Sequence, residues 1–341
     1  MKALSLKRFL LLLAPFAAFF VVAMLICPLI GVMPLSVKRA FETGIPRPMN
    51  IDYTLLFQLR LPRLLLASLA GSALAMAGAA FQALLRNPLA EPYTLGVSSG
   101  AALGAVLAIK LGLDITLFGV SSVPLFAFAG SLSAMGVIYL LARGRGAFPT
   151  SVLLLSGVTI SFFFSSMILF VYYIADFTES QQMIRWMMGG LDIVGMRPVA
   201  QVLPLWAAGT LAILYLAGDL NVLSFGATYA SAKGVNVPRA QKATFVFASM
   251  MTGAVVSAAG PIGFVGLIVP HVIRLVTGPD LRILVPASAL AGAGFLAICD
   301  TAARTVLGYA EIPVGVLTAM LGGPFFLVLL IRQKKNLGRS K

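Results

Sequence analysis

Histidine occurs once in this chain, at His271, and cysteine twice, at Cys27 and Cys299. A single imidazole cannot assemble a metal site, and two thiols set inside apolar runs form neither a metal motif nor a disulfide framework. Charge is equally scarce. Only 11% of the residues are Asp, Glu, Lys or Arg, and the 11 acids are outnumbered by 25 bases. The net charge of +14 raises nucleic acid as a partner, but the cations stand at the ends of apolar runs rather than in one stripe, which excludes it. No GxxxxGK[ST] phosphate loop is present, so the chain is not an ATPase. No nucleophile and base are set together as a hydrolase needs, so no catalytic residue is assigned.

What the chain has is apolar length. Hydrophobic residues make up 60% of it, and its 33 glycines and 19 prolines fall within apolar runs rather than in polar tracts. That composition predicts an all-α, polytopic transmembrane helical bundle with kinked and interrupted spans. About ten spans fit, near 9–33, 64–85, 96–112, 120–141, 151–174, 198–217, 241–260, 262–276, 283–306 and 312–332. The whole of 1–341 reads as one transmembrane domain. Lys2, Lys7 and Arg8 precede a first apolar run too long for a signal peptide, so it is expected to be a retained span.

Ten spans divide the charges unevenly. One side, holding both termini, collects sixteen cations and three acids, and the other nine cations and eight acids. The positive-inside rule makes the first side cytoplasmic. On the outer side, five cations fall together: Lys38, Arg39, Arg47, Arg60 and Arg63. Such a cluster either snorkels to lipid headgroups or docks an acidic partner.

Four stretches stand out. In 60–101, Ala67, Gly71, Ala75 and Ala79 lay small residues along one helical face, the pattern that lets a neighbouring helix approach closely in lipid. The outer loop 176–197 carries Trp186 among methionines and reads as an interfacial plug or part of a substrate mouth. The inner connection 218–242 intersperses Leu220, Leu223, Phe225, Tyr229 and Val235 with polar residues and is broken by Gly226 and Gly234. It predicts two short surface helices, either an ordinary interfacial loop or a knuckle for a soluble partner. In 260–274, Gly260, Pro261, Gly263, Gly266 and Pro270 predict a broken span of the kind that lines transport routes, with His271 in a structural or headgroup role. A faint repeat relates Ala67–Ala73 to Ala248–Ala254, one span entering from outside and the other from inside, as an inverted repeat requires.

The RLPR head at Arg60, the NPLAEPYTLGVSSGA turn, MMGG at Met187, LNVLSFGATYASAKGVNV, GFVGLIVPHVIRL and EIPVGVLTAMLGGPFF occur in an order that resembles the permease subunit of bacterial type II ABC importers for ferric siderophores, haem and cobalamin. The resemblance spans roughly Asp52 to Arg332. It implies a homodimer of permeases around a central pathway in the bacterial cytoplasmic (inner) membrane, two cytoplasmic ATPase subunits and an extracytoplasmic substrate-binding protein. ATP and magnesium then belong to the ATPase, and no cofactor to this chain. The expected cargo is a large metal chelate, a ferric siderophore first, with haem or cobalamin as alternatives.

Residue by residue, the resemblance implies that Arg60, Arg63 and Arg304 dock the binding protein. It makes 219–239 the loop that couples to the ATPase, through Asp219, Leu223, Gly226, Ala227, Ala230, Gly234 and Arg239. Ala227 departs from the pattern, standing where relatives carry an acid. Pro149, Thr150 and Ser151 match the cytoplasmic gate. Two rival classes make demands of their own. An ion-coupled secondary transporter needs carboxylates near mid-span, and none is read there, since Asp300 lies toward an outer end. A membrane enzyme needs clustered catalytic residues, and none is read.

Overall fold

A computed structural model describes residues 5–42, 49–117, 119–142 and 149–339. Lys2, Arg47, Arg143, Arg145 and Lys341, all counted in the charge reading, lie outside these residues.

Helix α1 (Leu6–Ile26) begins at Ser5, whose Oγ accepts the Arg8 amide at 3.3 Å. After the short α2 (Val37–Ala40), Asn50 caps α3 (Ile51–Tyr53) by accepting the Tyr53 amide at 3.0 Å. The chain then stays helical through a wider π-helical stretch, Thr54–Arg60, into α4 (Leu61–Leu85). The result is one continuous helix of 35 residues over Ile51–Leu85. The reading that starts this span at Leu64, with Arg60 and Arg63 at its head, is corrected. Pro62 does not break the helix but widens it: the Leu61 amide reaches back to the Leu56 carbonyl. The Gln58 carbonyl, which Pro62 cannot serve, accepts the amide of Gly195 at 2.8 Å instead.

Beyond it lie α5 (Val97–Lys110), a two-residue hairpin (Thr116–Leu117 with Val120–Ser121), α6 (Ser122–Ala142), α7 (Thr150–Tyr173) and α8 (Phe177–Met187). The remainder is α9 (Arg197–Leu223), α10 (Ala227–Ala232), α11 (Val237–Ala259), α12 (Val265–Thr277), α13 (Leu281–Thr305) and α14 (Val314–Arg339). Among the described residues, seven stretches are long and apolar enough to cross a membrane, and α5, α12 and the apolar part of α14 are shorter. Together they match the ten predicted spans in order. At 14 and 13 residues, α5 and α12 are only ~20 Å long, short of a ~30 Å hydrocarbon core.

The centre of the bundle is α4, with Leu66, Leu74, Met76 and Phe81 fully buried. The predicted small-residue face meets α13. A Cβ on Gly71 would lie 2.0 Å from the Gly292 carbonyl oxygen, and one on Gly78 would lie 1.9 Å from that of Gly266 on α12. Backbones this close gain dispersion contacts that lipid cannot match, which is how helices associate without a hydrophobic driving force. On another face, Trp206 Nε1 of α9 donates to Ser72 Oγ at 2.7 Å, and Phe245 of α11 stands edge-on to Phe81.

The two short helices follow irregular segments, 87–96 and 260–264, and these segments touch. The Tyr93 hydroxyl accepts the Ile262 amide at 2.7 Å, and the Glu91 carboxylate accepts the Phe264 amide. Irregular backbone is tolerated in a membrane bundle only where protein satisfies it. Glu91, read from sequence as an inner-loop charge, is thus buried at 8% exposure. Each short helix follows one of the two spans in the predicted repeat, α5 after α4 and α12 after α11. His271 stacks edge-on with Phe325 at 6.1 Å, in keeping with a packing role.

Candidate functional site: an outer mouth and an inner knuckle

Arg60, Arg63, Arg185, Asp192, Arg304 and Glu311 line one cavity of about 910 Å³. The π-helical stretch sets Arg60, α4 sets Arg63, α8 sets Arg185 and α13 sets Arg304, and the loops after α8 and before α14 set Asp192 and Glu311. Arg63 is the hub. Its Nε reaches Asp300 Oδ1 at 2.9 Å, and its Nη1 reaches Glu311 at 2.7 Å and Asp192 at 3.0 Å. Arg304 lies 3.6 Å from the other Asp300 oxygen and donates to the Cys27 carbonyl at 3.0 Å. Arg60 donates to the carbonyls of Pro28 and Met33. The structure therefore gathers the three predicted docking arginines, each with donors engaged within the chain, although Arg304 Nε is buried without a hydrogen-bond partner. Arg60 and Arg304 are 6% and 8% exposed, whereas the Arg185 side chain is 80% exposed on the rim.

The mouth is closed around these charges by backbone ties. Gly195 donates to Gln58, and Gly190 donates to the Ala259 carbonyl at 2.8 Å. The amphipathic α8 opens with a capping box, Asp176 accepting the Glu179 amide and Glu179 the Asp176 amide. Lys110 of α5 grips Glu179 at 2.8 Å, and that hydrogen bond holds the Glu179 carboxyl below its usual range. Of the two readings for 176–197, a substrate mouth fits better than a plug, since Met188, Gly190 and Asp192 line the cavity.

At the other end of the bundle the 219–239 segment forms one surface helix, α10, not the two predicted. Helix α9 continues to Leu223 and α11 starts at Val237, because the apolar residues flanking the loop extend the two long helices. Leu223 and Ala230 are buried beneath the loop, Asp219 is half-buried, and Arg239 is exposed on the first turn of α11. Gly226 and Gly234 take φ of +117° and +84°, which lets the chain turn sharply at both ends of α10. Ala227 opens α10, whose N-terminus has no side-chain cap. What projects is aromatic: Phe225 and Tyr229 are 73% and 50% exposed with ring centroids 5.8 Å apart. Pro149 precedes α7 in extended conformation, and Thr150 and Ser151 form its first turn.

Sequence reasoning missed Asp192, Glu311 and Arg185 as parts of the mouth. It placed Asp300 at the outer end of its span without finding its partner. Arg304 follows Asp300 by four residues on a helix, the one spacing that linked two of these groups. Among the described residues no group of three His, Cys, Asp or Glu side chains is placed to hold a metal.

A bundle of interrupted spans thus carries a charged mouth at one end and an exposed aromatic knuckle at the other. The FecCD transport family matches residues 19–332. The chain is 42% identical over 298 residues to the cobalamin import system permease BtuC of Halobacterium salinarum, covering 87% of this chain and 78% of that one. It is 39% identical over 314 residues to the hemin transport system permease HmuU of Yersinia pestis, covering 90% and 91%. A solved structure described as a metal-chelate type ABC transporter in an inward-facing conformation shares the fold at a TM-score of 0.81 and 29% identity, over 95% of this chain and 99% of that one. The chain belongs to the FecCD transport family. It is a membrane permease of the ABC importer class, in which ATP hydrolysis belongs to a separate subunit.

Proposed function

We propose that two copies of this chain enclose a pathway for a large metal chelate, driven by two cytoplasmic ATPase subunits that hold ATP and magnesium. A substrate-binding protein delivers the cargo to the Arg60, Arg63 and Arg304 mouth. The proposed setting is the bacterial cytoplasmic membrane with both termini inside. The single observation that carries the reading is the pairing of a charged mouth at one end of the bundle with an aromatic knuckle at the other, on a family scaffold.

The outward face of α7 supports the pathway. Tyr93, Thr94, Val158, Ser161, Phe162 and Ser165 line an open hollow of about 440 Å³. Hydroxyl groups turned outward from a span suit a wetted cavity between two permeases better than a lipid contact. Pro149, Thr150 and Ser151, at the inner end of the same helix, then gate it. The pathway needs little specific chemistry if selectivity resides in the binding protein.

Within the metal chelates, a ferric siderophore is the first cargo. A tetrapyrrole chelate is the second reading, favoured by the cobalamin and hemin relatives. Proteoliposomes holding the permease–ATPase complex, supplied with its binding protein and each chelate in turn, test the choice. Uptake of one chelate identifies it, and no ATP-dependent uptake of any of the three contradicts the chelate reading.

A further inference from the structure

Helices α9 and α13 are joined at their inner ends by one side chain. Asn221, two residues before the end of α9, is 5% exposed. Its Nδ2 donates to Asp280 Oδ1 at 2.6 Å, and its Oδ1 accepts the Leu281 amide at 2.7 Å. Asp280 also caps α13. It accepts the Arg282 amide at 3.1 Å and Arg282 Nε and Nη2 at 3.0 and 2.7 Å. The Arg282 hydrogen bonds hold the Asp280 carboxyl below its usual range, so it is ionised at neutral pH. A primary amide suits the place because it meets a carboxylate with its donor and a backbone amide with its acceptor.

The joint lies next to the knuckle. Ser224 Oγ donates to the Asn221 carbonyl at 2.7 Å, and Ser224 opens the turn into α10. The same α13 ends, ~37 Å away by its 25 residues, at Asp300 and Arg304 in the outer mouth. One helix thus carries a polar joint at each end, one beside the knuckle and one on Arg63.

We infer that Asn221 and Asp280 are positioning residues that pass movement between the ATPase face and the outer mouth through α13. The inference rests on reading 219–239 as the coupling loop. Asn221 is buried, and the Asp280 side chain is 27% exposed. They act by fixing the angle between the knuckle and α13, so that a shift imposed on α10 moves Asp300 against Arg63. Coupling between distant sites requires such an element, biased from both ends.

The test uses the permease–ATPase complex from its own membrane, in proteoliposomes with its binding protein. It reads the stimulation of ATP hydrolysis by the binding protein and the ATPase retained on purification. Asn221→Asp sets a carboxylate against a carboxylate and is expected to abolish stimulation while the ATPase is retained. Asn221→Asp/Asp280→Asn restores a donor opposite an acceptor and is expected to recover roughly half of the stimulation or more, a coupling that a double-mutant cycle isolates. Full stimulation in the single variant, or a double variant no better than the single, overturns the inference. Phe225→Glu, on the exposed knuckle, tests the underlying reading separately: it is expected to shed the ATPase. If it retains the ATPase, the coupling-loop reading fails and the joint loses its input. If it sheds the ATPase while Asn221→Asp stays coupled, only the joint is overturned.

Discussion

Arg63 and Asp300 stand 237 residues apart in the chain and meet at 2.9 Å, with 12% and 3% of their side chains exposed. The pair ties α4 to α13 at the outer mouth and draws Glu311 and Asp192 onto the same guanidinium. In the proposed docking role, Arg63 would meet an acidic partner by exchanging carboxylates, the exposed Glu311 and Asp192 being the ones that can leave.

Removing one partner of a buried pair leaves an uncompensated charge. Arg63→Met is expected to destabilise the protein by about 3–5 kcal/mol, and Arg63→Met/Asp300→Asn to recover most of that. Thermal unfolding in detergent reads both. Binding-protein capture is expected to stay lost in the double variant, which separates docking from folding.

Loosening the mouth without touching Arg63 should favour docking. Glu311→Gln removes an exposed competitor and is expected to tighten binding-protein affinity by about 2- to 10-fold, within the range of a modest coupling energy. Surface plasmon resonance on reconstituted permease measures it. Weaker binding would show that Glu311 positions Arg63 rather than occupying it.

Close helix approach sets a steric prediction. Gly71→Ala puts a methyl 2.0 Å from the Gly292 carbonyl oxygen, so the backbones must part. The expected cost is about 1–3 kcal/mol, as for overpacking elsewhere. Ala75→Gly on the same face is expected not to relieve it, because the clash is with backbone.

Trp206→Phe removes the indole donor to Ser72 and keeps most of the packing. Interhelical hydrogen bonds of this kind in membranes average about 0.6 kcal/mol, so a small loss of stability is expected. Ser72 keeps its hydrogen bond to the Leu69 carbonyl at 2.9 Å, so a loss of several kcal/mol on thermal unfolding would contradict this expectation.

Much of this fold is written in the order of apolar runs. The spans, the small-residue face from Ala67 to Ala79 and the break at Gly260 are local patterns, each fixed by a few neighbouring residues. The start of the second span is not local in that sense. Pro62 reads as a helix start, yet it sits in a widened turn whose freed Gln58 carbonyl is satisfied by Gly195, 137 residues on. Glu91 reads as a loop acid because nothing nearby shows that its segment turns inward to meet Phe264. The same holds for the mouth. Arg60, Arg63 and Arg304 were legible through family resemblance, but their engagement by Pro28, Asp300 and Cys27 depends on contacts that no spacing encodes. The knuckle was legible as a loop with aromatics, while the division between buried Leu223 and exposed Phe225 came only from the packing of α10.

The most direct measurement is a mild-detergent pull-down of this chain from its native membrane, with stoichiometric partners identified by mass spectrometry. The account predicts a second permease copy, one ATPase per permease, and a binding protein captured through the outer face. A correctly folded chain that comes down alone would contradict it.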